Sequence, residues 1–100
     1  MSHTIVLVQL NRKPSSRTYS DFESVASAMD GVCKLYEQRL QQLNPDEDIL
    51  SYDISDLLNF IDQLGDISCL VASSATGQYV PHDREWIKAR LRKRLRQIAA

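Results

Sequence analysis

Runs of β-branched and apolar residues at four places along the chain predict strands. Residues 3–10, HTIVLVQL, form the longest run, and residues 67–71, ISCLV, repeat its composition. Shorter strands are predicted over residues 17–19 and over residues 78–80, the second of them ended by Pro81. The pattern therefore predicts a small antiparallel sheet of three to four strands.

Apolar residues spaced three and four apart predict a long first helix after the second strand. Ser20 and Glu23 have the spacing of a capping box, which places the start of the helix there. Asn44 and Pro45 end it, because the residue before a proline is driven out of the helical region. Its predicted buried face consists of Phe22, Val25, Met29, Val32, Tyr36, Leu40 and Leu43.

The same periodicity predicts two further helices. Asp53 or Ser55 caps the second helix, and Gly65 is placed to terminate it. Asp83 caps the third, which runs to the end of the chain. The predicted buried faces are Ile54, Leu57, Leu58, Ile61 and Leu64 in the second helix and Trp86, Ile87, Arg90, Leu91, Leu95 and Ile98 in the third.

The predicted elements follow the order β-β-α-α-β-β-α, which is the order of an α+β fold. A length of 100 residues and an ordinary globular composition fit one domain over residues 1–100. We expect the three helices to pack on one face of the small antiparallel sheet.

The first strand is apolar on both of its faces. Ile5 and Leu7 point to one side of the sheet while Val6 and Val8 point to the other. In the third strand the side chain of Leu70 points to one side, and those of the apolar residues directly before and after it point to the other. Three helices cannot cover both sides of the sheet, and an antiparallel sheet facing water is normally polar on that side. Scattered surface hydrophobes are one explanation. We favour a second copy of the chain packed on this face, which predicts a homodimer.

The net charge of −1 conceals a separation of acidic and basic residues. Residues 21–66 carry eleven acidic and two basic side chains, whereas residues 84–96 carry seven basic side chains and one acid. The last helix, with Arg92, Lys93 and Arg94, is therefore a candidate for RNA contact or nuclear import. The alternative is a solvated helix face, or a helix that pairs with the acidic segment of the same chain or of its dimer mate.

No pattern in the sequence predicts catalysis, a metal site or a cofactor. His3 and His82 lack zinc-ligand spacing, the three glycines form no phosphate loop, and no serine lies in a nucleophile elbow. The acidic run over residues 46–56 lacks the spacing of an EF-hand and is interpreted as a solvated surface. We expect a protein that is not an enzyme and has no small-molecule substrate.

The cysteines and the apolar runs indicate an intracellular protein. Cys33 and Cys69 lie within periodic apolar segments, which predicts free buried thiols in a reducing compartment. The longest apolar run, residues 5–8, is too short to span a bilayer, and residues 1–20 carry no secretory signal pattern. No membrane partner is expected.

The chain resembles the enhancer of rudimentary homolog family along essentially its whole length. The resemblance rests on many short collinear stretches rather than on one signature. These are MSHTI at residues 1–5, RTY at 17–19, ESV at 23–25, GVCK at 31–34, YDIS at 52–55, FID at 60–62, SCLV at 68–71 and WIK at 86–88.

The resemblance implies a small non-catalytic α+β protein that dimerises through the uncovered sheet face. On that basis Ile5 and Leu7 belong to the dimer interface, with Leu70 and Tyr79 as neighbours. It further implies a nuclear and also cytoplasmic scaffold for RNA metabolism, including small-RNA processing, splicing and mRNA removal. Such a scaffold binds short segments of RNA-processing proteins, so that contact with RNA is indirect.

The sequence departs from the family pattern in two places. After the SCLV stretch the family continues with an aromatic and a basic residue, whereas Ala72 and Ser73 follow here. The family also implies casein-kinase-type phosphorylation at two sites. Thr18 keeps the required acid three residues later, at Asp21, but Ser24 does not, so only Thr18 is retained as a candidate phosphorylation site.

Overall fold

A computed structural model describes residues 2–46 and 51–99 of the chain, with side chains as far as Arg96. The described residues form an α+β fold in the predicted order β-β-α-α-β-β-α. The elements are β1 (Thr4–Gln9), β2 (Arg17–Phe22), α1 (Val25–Leu43), α2 (Ile54–Gln63), β3 (Asp66–Ala72), β4 (Tyr79–His82) and α3 (Arg84–Ala99).

The four strands form one antiparallel sheet in the order β2-β1-β3-β4. The central strand β1 pairs with β2 on one side and with β3 on the other, so that Val6 lies between Ser20 and Cys69. The centre of the sheet is therefore occupied by a strand that carries hydrophobic side chains on both of its faces, only one of which the helices cover.

The helices cover the face of the sheet that carries Val6 and Val8. Because directly opposed residues of an antiparallel pair share a face, Ile67 and Cys69 point to the same side. Burying side chains of this kind contributes roughly 1.5–3 kcal/mol each. The apolar core comprises Val6, Val8, Ala28, Met29, Val32, Cys33, Leu57, Ile61, Leu64, Ile67, Cys69, Ile87 and Leu91.

The predicted start of the first helix is wrong by several residues. Ser20 belongs to β2, and the helix begins at Val25 with Ser24 as its cap, whose hydroxyl accepts a hydrogen bond from the Ser27 N–H at 3.1 Å. The capping box predicted at Ser20 does not form, because strand pairing with β1 extends as far as Phe22. Phe22 therefore leaves the predicted helical face, and its ring packs against Gly31, where a side chain would collide with it.

The predicted C-terminal end of α1 and the predicted start of α2 are confirmed. Asn44 follows the last residue of α1. Asp53 caps α2, accepting from the Asp56 N–H at 3.0 Å, and the Asp56 carboxylate accepts in turn from the Asp53 N–H. A hydrogen bond from the Ser55 hydroxyl to Asp53 lowers the pKa of this carboxyl group.

Two glycine and proline assignments need correction. Gly65 does not terminate α2 in a left-handed conformation; it lies so close to the carbonyl of Asn11 that a side chain would strike the backbone there. Pro81 does not end the last strand but lies within β4, which is an edge strand where a missing N–H is tolerated. Asp83 caps α3 as predicted, accepting from the Trp86 N–H at 3.0 Å.

Both cysteines are free and buried, as predicted. Burial raises the pKa of each thiol to about 11, and the nearby carboxylates of Glu37 and Asp30 add to the shift at Cys33. The predicted acidic loop lies only partly within the structure, because residues 47–50 are outside the described residues, as is the side chain of Ile98.

The position of the α1 cap can be tested by paired substitutions. Ser24→Ala removes the hydroxyl that caps the helix, and we expect it to lower the free energy of unfolding by about 1 kcal/mol. Ser20→Ala changes an exposed strand position and is expected to have little effect. Urea denaturation measures both, and a larger loss for Ser20→Ala would restore the capping box that the sequence suggested.

Candidate functional site

The four residues predicted to form a dimer interface lie on the same face of the sheet, opposite the helices. The register places Ile5 beside Leu70. It also places Tyr79 beside Ala72, which lies on the same face as Leu70. Leu7 occupies the next position of that face along β1. We call this surface the open face; besides Ala72, its apolar members are Ile5, Leu7, Tyr19, Leu70, Tyr79 and Pro81.

Apolar groups on the open face are accessible to a partner. Leu7 is 39% exposed, Tyr79 44% and Tyr19 72%. Ile5 and Leu70 are half-buried between their neighbours in the sheet. A contiguous group of large apolar side chains at the centre of a sheet is typical of an interaction surface rather than of a solvated one.

Polar contacts lie at both ends of the open face. The His3 ring joins opposite edges of the sheet, since Nδ1 lies 2.7 Å from the Tyr79 hydroxyl and Nε2 lies 3.2 Å from the Asp21 carboxylate. In the neutral Nε2–H tautomer the hydroxyl donates to Nδ1 and the ring donates to the carboxylate. At the other end Arg17 Nε donates to the Gln9 side chain at 2.8 Å. An apolar centre with a polar rim is the usual anatomy of a protein interface.

Several members of this surface lie outside the predicted interface. His3 was considered only as a zinc ligand and rejected, and Tyr19, Asp21 and Pro81 were not assigned to the open face. Tyr19 and Asp21 alternate along β2 and therefore point to the same face. The predicted strand ended at residue 19, so this alternation was not recognised. The contact between His3 and Tyr79 had no local signal, because it joins residues 76 positions apart.

Part of the basic helix is engaged within the fold. Arg94 makes two hydrogen bonds of 3.0 Å to the Asp30 carboxylate on α1, and these bonds raise the pKa of the guanidinium. Lys88 contacts Asp62 on α2 at 2.9 Å. These pairs fit the alternative in which the helix neutralises the acidic segment of the same chain.

Other basic residues of α3 remain at the surface. Of the three candidates for RNA contact, Arg92 and Lys93 are exposed, whereas Arg94 is held by Asp30. Arg90 lies over the Trp86 ring at 5.3 Å, and His82 stacks on the same ring at 3.8 Å. The structure thus separates the candidate trio into two accessible residues and one that has a structural partner.

Thr18 lies on β2 with an exposed side chain. It points to the helical side of the sheet, opposite Val8, while Asp21 points to the open face. The hydroxyl is accessible, and its phosphorylation stays a prediction.

The described ranges provide neither a metal-binding cluster nor a membrane-spanning helix. Residues 2–46 and 51–96 contain no group of three His, Cys, Asp or Glu side chains placed to hold a metal ion. In the described part of the chain, no helix is both long and apolar enough to cross a membrane.

Comparison with known proteins identifies the family. The sequence model of the family described as Enhancer of rudimentary matches residues 1–100. The chain belongs to the Enhancer of rudimentary family. It is 52% identical to the protein enhancer of rudimentary of Drosophila virilis, over 99% of this chain and 95% of that protein. The enhancer of rudimentary homolog of Dictyostelium discoideum is 50% identical, over 99% of both chains.

More distant relatives keep most of the same length. Enhancer of rudimentary homolog 1 of Schizosaccharomyces pombe is 33% identical over 86% of this chain and 79% of that protein. The resemblance inferred from the short collinear stretches is therefore confirmed.

The structural role of Arg94 can be tested by comparing its substitution with that of Arg92, an exposed residue of the same helix. Arg94→Gln removes the guanidinium that grips Asp30, and we expect a lower Tm than for the wild type. Arg92→Gln removes an exposed charge and is expected to leave the Tm nearly unchanged. Equal Tm values for the two variants, measured by circular dichroism at low salt, would contradict a stabilising pair.

Proposed function

We propose that this member of the Enhancer of rudimentary family is a non-catalytic homodimeric adaptor that binds short segments of RNA-associated proteins. It acts in an RNA-processing complex, in the nucleus and also in the cytoplasm, and reaches RNA through its protein partners. The observation that carries the proposal is the open face, where Ile5, Leu7, Leu70 and Tyr79 form one apolar surface on a sheet whose other side is already packed.

A second copy of the chain is the occupant that fits this surface best. Two sheets pack face to face at about 10 Å with interdigitated side chains, and a two-fold axis lets the same patch serve both subunits. Full burial of a Leu or Phe side chain contributes roughly 1.5–3 kcal/mol. Leu7 and Tyr79 are 39% and 44% exposed, so each would gain a fraction of that amount in each subunit.

The adaptor role follows from what such a dimer offers to other molecules. Several of its charged and polar side chains are engaged in structural contacts, as with His3, Asp30 and Arg94. A small rigid domain of this kind contributes surfaces rather than reaction chemistry. Membership of the family supports the link to RNA metabolism that the resemblance implies.

The dimer can be tested with charges placed on the open face. In the Ile5→Arg/Leu7→Arg double variant, two guanidinium groups would have to be buried against the partner, so we expect the molar mass from light scattering to fall from that of two chains to that of one. Asn59→Arg/Ala89→Arg, with the same added charge at exposed helix positions, should stay dimeric. Circular dichroism verifies folding, and an unchanged mass for the folded Ile5→Arg/Leu7→Arg variant would contradict the proposed interface.

The same variants test the adaptor role by affinity purification and mass spectrometry. We expect the wild type and the Asn59→Arg/Ala89→Arg control to retain RNA-processing proteins after nuclease treatment, and the Ile5→Arg/Leu7→Arg variant to lose them. Loss of these proteins from every sample on nuclease treatment would mean that RNA is the ligand.

Direct RNA binding by α3 is the second candidate, favoured by the exposure of Arg92 and Lys93. Filter binding at increasing salt measures the number of phosphates that a protein neutralises. The adaptor proposal predicts weak affinity and a shallow salt dependence that Arg92→Ser/Lys93→Ser barely changes. A steep slope that this double variant reduces by about two, one for each lost phosphate contact, would support the rival function.

A further inference from the structure

One edge of the sheet lacks the protection that the other edge has. Strand β4 spans four residues and contains Pro81, whereas β2 spans six residues without a proline. Its two charged side chains, Arg17 and Asp21, lie on the open face and bond to Gln9 and His3 of the same chain. Proteins commonly block an edge with a short strand or a proline, because unpaired backbone groups recruit other strands. Within residues 2–46 and 51–99, no strand lies beyond β2.

Two hydrogen bonds fix which backbone groups of β2 point outward. The Leu10 N–H donates to Ser16 at 3.5 Å, and the Ala72 N–H donates to His3 at 2.9 Å. Since a strand turns alternate residues to its two neighbours, even-numbered residues of β1 bond to β2 and odd-numbered residues bond to β3. In this register Arg17, Tyr19 and Asp21 are then the residues of β2 whose N–H and C=O groups face away from β1, and the Arg17 N–H already donates to the Pro14 carbonyl.

An apolar cavity lies directly beneath this edge. It has a volume of about 270 Å³ and opens between β2 and α1. Val8, Phe22, Val32 and Leu35 supply apolar walls, and Thr18 and Ser20 point toward it from β2. A strand added beyond β2 would direct every second side chain to this side of the sheet, above the cavity.

Charge at the rim indicates what should flank the apolar side chain. Lys34 lines the cavity from α1 and is exposed, and no ion pair within the described ranges involves it. A carboxylate near the apolar position of an incoming segment would therefore meet an unneutralised cation.

From these four observations we infer that the outer edge of β2 binds an extended segment of a partner protein by strand addition. The segment carries aliphatic side chains at alternate positions, one of which enters the cavity, and an acidic residue that meets Lys34. Backbone hydrogen bonds to Tyr19 and Asp21 hold it in register. The inference rests on the proposed adaptor function and assigns one of its binding sites.

A larger neighbouring cavity offers room for a longer segment. It has a volume of about 570 Å³, lies between α1 and α2, and shares Leu35 and Gln38 with the cavity beneath β2. Leu10, Phe60 and Leu64 add apolar surface to it. A partner segment that leaves the edge of β2 near Leu35 can therefore continue across apolar surface.

The test begins with a phage-displayed library of random peptides selected on the whole protein. We expect enriched peptides to show alternating aliphatic residues with a flanking acid. Peptides with helical spacing, or an unenriched library, would overturn the inference. Enriched peptides are then resynthesised with single N-methyl groups along the backbone. Methylation of a peptide N–H that donates to an outward C=O group of β2 should weaken binding about threefold to tenfold, as expected for the loss of one backbone hydrogen bond. Methylation of the peptide N–H groups that alternate with these should have less effect.

Paired variants of the protein locate the site. Tyr19→Ala and Tyr19→Pro both remove the side chain, but only the second removes the outward N–H, and proline is tolerated on an edge strand. We expect Tyr19→Pro to bind the peptides about threefold to tenfold more weakly than Tyr19→Ala. Lys34→Glu should reverse the preference between peptides carrying glutamate and those carrying lysine. Equal binding by the two Tyr19 variants together with no reversal by Lys34→Glu would overturn the inference.

The same variants distinguish a failure of strand addition at β2 from a failure of the adaptor function. Light scattering and affinity purification with Tyr19→Pro and Lys34→Glu show whether the dimer and its RNA-processing partners persist. Persistence of all partners in both variants would remove the edge of β2 as a site and leave the adaptor role intact. Absence of partners from the wild type itself would remove the adaptor role.

Discussion

The pairing of β1 with strands on both sides is the interaction on which the rest of the structure depends. Its even-numbered residues bond to β2 and send Val6 and Val8 into the helical core, while its odd-numbered residues bond to β3 and send Ile5 and Leu7 to the open face. A slip of one residue would exchange the two faces. Core packing on one side therefore fixes which residues are displayed on the other.

Local patterns predicted the parts of the fold that depend on neighbouring residues. The apolar runs of β1 and β3 and the cap at Asp53 were found because composition or spacing within a few residues determines them. The start of α1 was misplaced, because Ser20 and Glu23 have a capping pattern that pairing with β1 overrides. A second serine pattern, Ser24 with Ser27, supplies the cap once β2 has ended.

The candidate site divides in the same way. Alternation along single strands was sufficient to predict that Ile5 and Leu7 share a face, whereas the assignment of that face as the uncovered one came from the family resemblance. The hydrogen bonds that link Tyr79, His3 and Asp21 depend on the register of four strands, which one sequence does not reveal. For the same reason the bond between Arg94 and Asp30, which joins residues 64 positions apart, was only one of several alternatives for a basic helix.

The open face and the edge of β2 present different groups of the sheet, so the proposed dimer and the proposed strand addition would not compete for one surface. A second sheet would stack on side chains such as Leu7, whereas an added strand would bond to backbone groups at right angles to that direction. Occupation of the face therefore leaves the outward groups of Asp21 available. An unprotected edge normally carries a risk of aggregation. Retaining one at β2 while Pro81 blocks β4 is consistent with an edge that is occupied by partner proteins.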